Sequence, residues 1–185
     1  SHCGDDTESI SCVDLPLSII DANVGVNKAN FFVSNEILRD IEITESGTAT
    51  ETVTFSQSNS GTTGGEDANY TSYTRFYLPP LVRVDRVVID GVAAREGRGE
   101  TLPYWEVGNE HERVVVGVAS ALAPKQTRRI GVTYTRPLPT TSEIKMVVVT
   151  RGQAGVSATP FSLRARAPSS WLLELSGDGD PRQLV

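Results

Sequence analysis

Histidine is almost missing from this 185-residue chain, which has only His2 and His111. A Ser or Cys hydrolase needs a base beside its nucleophile and a third group to orient that base. Two histidines with no GxSxG elbow in the sequence give no such set. Cysteine is as scarce, at two residues, Cys3 and Cys12. A structural metal site takes about four Cys or His ligands, and a redox pair favours the CxxC spacing. Neither pattern occurs, so neither a metal nor a cofactor is expected. Long apolar runs are missing too. Val114–Val118 and Met146–Val149 are the longest, strand-sized against the ~18 residues of a membrane span. Basic residues are in deficit, 17 against 23 acidic, for a net charge of -6. Such a chain repels phosphate backbones, and no Lys/Arg run makes a local exception, so nucleic acid is excluded as a partner. Helical periodicity is lacking as well. Gly, Pro and β-branched residues interrupt each window, and the one candidate, Val118–Leu122, is too short.

Alternation with period two is abundant. Ile130, Val132 and Tyr134 alternate with Arg129, Gly131 and Thr133. Ile37, Ile41 and Ile43 alternate with Leu38, Asp40 and Glu42. Val53 and Phe55 alternate with Thr52, Thr54 and Ser56, and Phe161, Leu163 and Ala165 with Ser162, Arg164 and Arg166. This is the pattern of half-buried strands, rich in the Val, Ile, Thr and Tyr that suit a pleated surface. Turn signals such as Glu45-Ser-Gly-Thr48, Asp90-Gly91, Gly108-Asn109 and Ala123-Pro-Lys-Gln126 separate the segments. The spacing predicts about ten strands: 17–21, 36–44, 49–57, 71–78, 82–89, 104–107, 113–119, 127–135, 143–151 and 161–166. Strands of this spacing predict an all-β, antiparallel β-sandwich of immunoglobulin-like type. Residues 1–30 are acidic and poor in alternation, and read as an irregular N-terminal extension or linker. The sandwich is expected over 31–175, with a flexible tail over 176–185. The chain opens on Ser1-His2, the kind of pair a cleaved tag leaves, so the lack of a leader there says nothing about compartment.

The segment Cys3-Gly-Asp-Asp-Thr-Glu-Ser-Ile-Ser-Cys12 admits two free thiols or a local disulfide. The disulfide is the expectation, and with it an oxidising compartment. Closing so short a loop stabilises by about 2–3 kcal/mol.

Three stretches resemble the C-terminal part of a bacterial family, the domain-of-unknown-function 4012 proteins. Asp21-Ala-Asn-Val-Gly-Val-Asn-Lys-Ala-Asn-Phe-Phe32 is similar to that family's Asp-x-Asn-x-Gly-x-Asn-Lys-x-Asp-Tyr-Tyr signature. Asn69-Tyr-Thr-Ser-Tyr-Thr-Arg-Phe-Tyr-Leu-Pro79 is similar to its Tyr-x-x-Tyr-x-x-x-Tyr-x-Pro strand. Leu122-Ala-Pro-Lys-Gln-Thr-Arg-Arg-Ile-Gly-Val-Thr-Tyr134, followed by Pro137, resembles a proline-turn-strand block. Asn30 stands for the usual Asp, and Phe31-Phe32 for the tyrosines. The resemblance implies an envelope-anchored bacterial protein with this part outside the membrane, linked in some relatives to surface polysaccharide or cell wall. It brings no catalytic residues.

The side chains that could carry chemistry each have a plainer reading. His111 lies in the polar stretch Gly108-Asn-Glu-His-Glu-Arg113, most simply a solvated turn. Glu106, Glu110 and Glu112 cluster near Trp105, where an acid beside an indole could hold a sugar, or the hairpin is merely charged. Asp178-Gly-Asp180 and Asp21-Ala-Asn23 could offer oxygens to calcium, but neither has the spacing of a calcium loop, and Asp and Asn more often cap turns. If the signature has a binding role, Asp21, Asn23, Asn27 and Lys28 carry it. Tyr73, Arg75 and Tyr77 share one strand face and Thr74, Phe76 and Leu78 the other. The Phe76 face is core, and the Tyr-Arg-Tyr face is either a contact surface or packs under the polar, Gly-rich loop Ser58–Ala68. Arg164 and Arg166 add a basic stripe. No catalytic set emerges. The sequence predicts a non-catalytic, extracytoplasmic binding or scaffolding module whose partner is its own upstream domain, an envelope protein or a surface glycan. The rivals are an accessory domain of an envelope enzyme and a glycan-active enzyme using the acids near Trp105.

Intact-mass measurement after thiol alkylation tests the cysteine expectation. The native chain should take up no label and the reduced chain two; two labels before reduction would refute the bond.

Overall fold

The computed structural model describes residues 10–25, 28–62, 69–97, 99, 101–141, 143–151, 153 and 159–172. In chain order the strands are β1 (Ile10–Asn23), β2 (Val33–Ile43), β3 (Thr48–Asn59), β4 (Tyr70–Tyr77), β5 (Arg83–Ile89), β6 (Val92–Ala93), β7 (Arg95–Glu96), β8 (Tyr104–Glu110), β9 (Arg113–Leu122), β10 (Thr127–Pro137), β11 (Glu143–Arg151) and β12 (Phe161–Arg166). One 3-10 turn, Ala29–Phe32, precedes β2. Among the described residues no helix is long and apolar enough to cross a membrane.

The strands form two six-stranded sheets, ordered β11-β1-β4-β9-β8-β7 and β12-β2-β3-β10-β5-β6. Inward side chains of both sheets build a shared core. Leu17, Ile19, Phe76 and Val118 of the first sheet meet Ile37, Phe55, Ile130 and Val132 of the second. Phe55 and Phe76 cross the interface edge to face, with centroids 6.1 Å apart at 86°, the geometry that ring quadrupoles favour. Burying each large apolar side chain stabilises by about 1.5–3 kcal/mol. A second apolar cluster, with Val13, Leu15, Ile41, Ile43, Ala49 and Leu138, fills one end.

Two expectations are corrected here. The sheets are mixed, not purely antiparallel: β1 with β11, β2 with β12 and β7 with β8 run parallel. Hairpins make antiparallel neighbours, and those are what turn signals reveal. Parallel neighbours need a crossover from a distant segment, here the last two strands returning to flank the first two. The irregular extension is also wrong from Ile10 onward, because β1 is an inner strand between β11 and β4. Its inward residues Val13, Leu15, Leu17 and Ile19 are all buried. Pro16, which reads as a strand breaker, is tolerated because β4 pairs with β1 only from Ser18 onward. Before Ser18, β1 has one unpaired side, the setting in which a strand proline is found. Arg113 Nη2 and Arg136 Nη1 donate to the carbonyls of Pro16 and Asp14, at 2.8 and 3.2 Å. Residues 1–9 and 173–185, with Cys3 and the expected tail, lie outside the described residues.

One polar element crosses the core. Arg39 is fully buried on the inward face of β2, and all five of its N–H groups find acceptors. Nε and Nη2 clasp Glu51 of β3 at 2.5 and 3.0 Å. Nη2 also reaches Leu15 O of β1 at 3.0 Å. Nη1 reaches Val149 O and Thr150 Oγ1 of β11 at 3.1 and 3.2 Å. One guanidinium therefore links both sheets.

Arg39→Met should destabilise the fold by about 3–5 kcal/mol, because Glu51 stays buried without its cation. Arg39→Met with Glu51→Leu should recover most of that loss. Denaturant unfolding midpoints check both, and a double variant no better than the single one would refute the account.

Candidate functional site

The signature region places one carboxylate inside the sandwich. Asp21 continues the inward series of β1 past Ile19, so its side chain enters the core edge instead of facing solvent. Three neutral donors meet it. Tyr70 Oη and Gln57 Nε2 donate to Oδ2 at 2.6 and 2.8 Å, and Thr74 Oγ1 donates to Oδ1 at 2.7 Å. The backbone N–H of Asp21 donates to Gln153 Oε1 at 2.8 Å. Beside it lies a cavity of about 20 Å³ lined by Ile19, Asp21, Asn35, Ile37, Phe55, Gln153 and Thr159, room for about one water. Burial pushes the Asp21 carboxyl above the usual aspartate value, and its three hydrogen bonds oppose that shift without cancelling it. The Tyr70 phenol is pushed up by burial first and then by the Asp21 charge. Asn23 Oδ1 accepts from Gly25 N–H at 3.0 Å, the local turn bond typical of Asn. Lys28 is exposed and opens the 3-10 turn, its carbonyl accepting from Phe31 N–H at 3.1 Å. Asn27 lies outside the described residues. Within this motif, Asp21 and Asn23 both make hydrogen bonds that shape the chain.

A second site lies on the outer face of the first sheet. Tyr73, Arg75 and Tyr77 point outward from β4, between the buried Ser72, Thr74 and Phe76. Across the sheet, Glu106 and Glu110 of β8 share that face. Tyr73 Oη donates to Glu106 Oε1 at 2.5 Å. Tyr77 Oη donates to Glu110 Oε2 at 3.0 Å, and Arg75 Nη1 approaches the same carboxylate at 3.4 Å. The guanidinium carbons of Arg75 and Arg113 lie 5.6 and 5.9 Å from the Tyr77 ring centroid, within cation–π range. Arg113 is tied down by the carbonyls of Leu78, Tyr77 and Pro16 at 3.1, 2.5 and 2.8 Å. Gly117 of β9 makes the arrangement possible, since a Cβ there would fall 2.1 Å from Tyr73 Oη.

Trp105 does not belong to this site. It points inward, is 8% exposed, and donates its indole N–H to Ala94 O at 3.1 Å. The acids Glu106 and Glu110 take the opposite face of β8, so no indole–carboxylate sugar cleft forms there. His111 and Glu112 are the two tip residues of the β8–β9 hairpin, both exposed, with φ of +50° and +61°, as a primed hairpin turn requires. Arg164 and Arg166 are exposed on β12, where Arg166 pairs with Asp40 at 2.9 Å. Asp178 and Asp180 lie outside the described residues, as does Cys3; Cys12 is half-buried in β1. Among the described residues no group of three His, Cys, Asp or Glu side chains could hold a metal ion. Sequence reasoning missed Gln57, Tyr70 and Thr74 around Asp21, and Gly117 and Arg113 on the outer face. The available signal was strand parity: Thr74 and Gln57 fall on the apolar faces of their own strands, which marks them as buried polar groups in want of a partner.

No family model matches the chain, and no curated protein does. Among solved structures, a candidate nutrient-binding protein from Legionella pneumophila shares 12% identity at a TM-score of 0.47, over 68% of this chain and 44% of that one. Leukotriene A4 hydrolase from Saccharomyces cerevisiae shares 9% at 0.34, over 60% and 17%. An M1 zinc metallopeptidase from Deinococcus radiodurans shares 11% at 0.28, over 71% and 21%. The chain thus spans less than half the length of each.

The buried carboxylate makes stability pH-dependent. Between the usual aspartate value and the raised folded one, the native state holds more proton than the unfolded state, so the Asp21 contribution falls as pH rises through that window. Asp21→Asn should flatten this part of the stability–pH curve, and carbon-detected NMR should place the Asp21 midpoint above the usual value. A midpoint at or below it would contradict the assignment.

Proposed function

We propose that the chain is an immunoglobulin-like, non-catalytic binding or scaffolding module of a bacterial cell-envelope protein, working outside the cytoplasm on its upstream domain, a partner protein or a surface glycan. The observation that carries this reading is the outer face of the first sheet. Tyr and Arg are the residues that recur in binding hot spots, and here Tyr73, Arg75 and Tyr77 stand in a row held by Glu106, Glu110 and Arg113. Rings and cations fixed in advance lose little side-chain freedom on binding. The carboxylates support a non-catalytic role through the company they keep. Asp21 takes three hydroxyl or amide donors, Glu51 takes Arg39, and Glu106 and Glu110 take the outer tyrosines and Arg75. The resemblance of the 21–32 and 69–79 stretches to an envelope family supports the location.

Sedimentation of the domain with isolated envelope fractions tests the face. Tyr77→Ala and Arg75→Ala should each weaken association about tenfold, the size expected of a hot-spot truncation of ~1.4 kcal/mol. Arg164→Ala on the other sheet should change it less than twofold. Equal effects from both sheets would sink the assignment of this face.

A further inference from the structure

We infer that Asp21, with the carboxamides of Asn35, Gln57 and Gln153, forms a calcium site between the two sheets, at the wall of the small cavity. The site lies inside the sandwich and is independent of the outer face.

Strand alignment builds it. Asn35 of β2 lies directly opposite Gln57 of β3. Both stand two residues beyond the core pair Ile37 and Phe55, on the same face of their strands. Gln57 is fully buried and crosses to the other sheet, where its Nε2 donates to Asp21 Oδ2. Its Oε1 and the Asn35 Oδ1 are then buried, and no donor among the described residues reaches either. Turning the Gln57 amide over does not help, because its oxygen would then face the carboxylate. Two further oxygens are only half used. Asp21 Oδ1 accepts from Thr74 alone and Gln153 Oε1 from the Asp21 N–H alone, while each has two lone pairs. Asp21, Asn35 and Gln153 line the same cavity, so spare lone pairs gather there from both sheets and from the segment after β11.

Buried acceptors without donors call for a water or an ion, and the charge decides between them. The hydrogen bonds to the Asp21 side chain all come from neutral groups. Among the described residues no cationic side chain offsets its charge. A water would use the lone pairs and leave the charge unmet, whereas a cation answers both, as buried charges require. Carboxylate and carboxamide oxygens are the ligands of hard cations. The cavity, about 20 Å³, takes one water-sized occupant, and Ile19, Ile37 and Phe55 wall it on the core side. Magnesium keeps several of its waters and does not suit such a space; calcium exchanges its waters for carbonyl and carboxylate oxygens. One acid among neutral ligands makes the site weak, with a dissociation constant of about 10⁻⁴–10⁻³ M.

Calorimetric titration of the chelator-treated domain with calcium, magnesium and sodium chlorides at matched ionic strength tests the inference. Calcium should bind in that range and raise the unfolding temperature as its concentration rises; magnesium and sodium should do neither. Asn35→Asp adds a second carboxylate and should tighten calcium binding about tenfold, since affinity follows the charge of the ligand set. Asn35→Leu should weaken it by about as much. Asp21→Asn should abolish it, and if that variant fails to fold the two Asn35 variants carry the test. No calcium binding, or equal stabilisation by magnesium or sodium, would overturn the inference. Calcium binding indifferent to the changes at Asn35 and Asp21 would overturn it too, by placing the ion on surface acids. So would a gain in stability from Asn35→Leu with no response to calcium, the result expected of a water at the site.

Discussion

Arg39 is the constraint around which the sandwich closes. Its neighbours on the inward face of β2, Ile37 and Ile41, belong to the two separate apolar clusters, so the guanidinium forms a polar crossing between them. Against an apolar replacement a buried ion pair gains little net stability. The effect of this pair is on alignment. A one-residue slip of β2 would turn Arg39 to solvent and bury Leu38, Asp40 and Glu42. A slip by two would keep the side chain inside but carry it away from Glu51, Leu15 O and Val149 O, leaving charge buried without partners at a cost of several kcal/mol. Tyr134, buried beside the pair, has its phenol pushed well up by burial and then by Glu51, which keeps a third ionisable group neutral there.

Arginine serves the same end elsewhere. Where β1 lacks a neighbour, Arg113 and Arg136 take its carbonyls, and at the end of β9 Arg128 takes that of Ala121. Buried carbonyls need donors whether or not a strand supplies them. On the outer face this has a second result. Arg113 is immobilised by its structural bonds and so becomes a fixed floor for the Tyr77 ring. The bonds that satisfy the carbonyls of β1 thus also hold part of the outer face in place.

Much of the fold was legible. Ten strands were visible by alternation, and β4 separated correctly into a Phe76 core face and a Tyr-Arg-Tyr outer face. The upstream half of β1 was overlooked because Pro16 and the acidic run before it obscured the series Val13, Leu15, Leu17, Ile19. Arg39 has the same parity as Ile37 and Ile41, and Glu51 the same as Val53, so both could be placed on inward faces. That they meet follows from strand alignment, which opposes Ile41 to Glu51 and Arg39 to Val53; no local pattern encodes this. Trp105 was misjudged as a sugar contact because nearness to Glu106 along the chain means opposite faces of a strand. The grouping of Arg113 and Arg151 was invisible because it depends on β11 lying alongside β1, a contact between segments far apart in sequence.

That last contact also governs when the molecule can form. During synthesis β1 emerges well before the neighbour that covers its flank, β11, and β2 waits in the same way for β12. Pairings so remote in sequence must close very large loops before they gain anything, which slows folding. A nascent chain of this topology remains an unfinished, threadable polymer until β11 and β12 have been delivered.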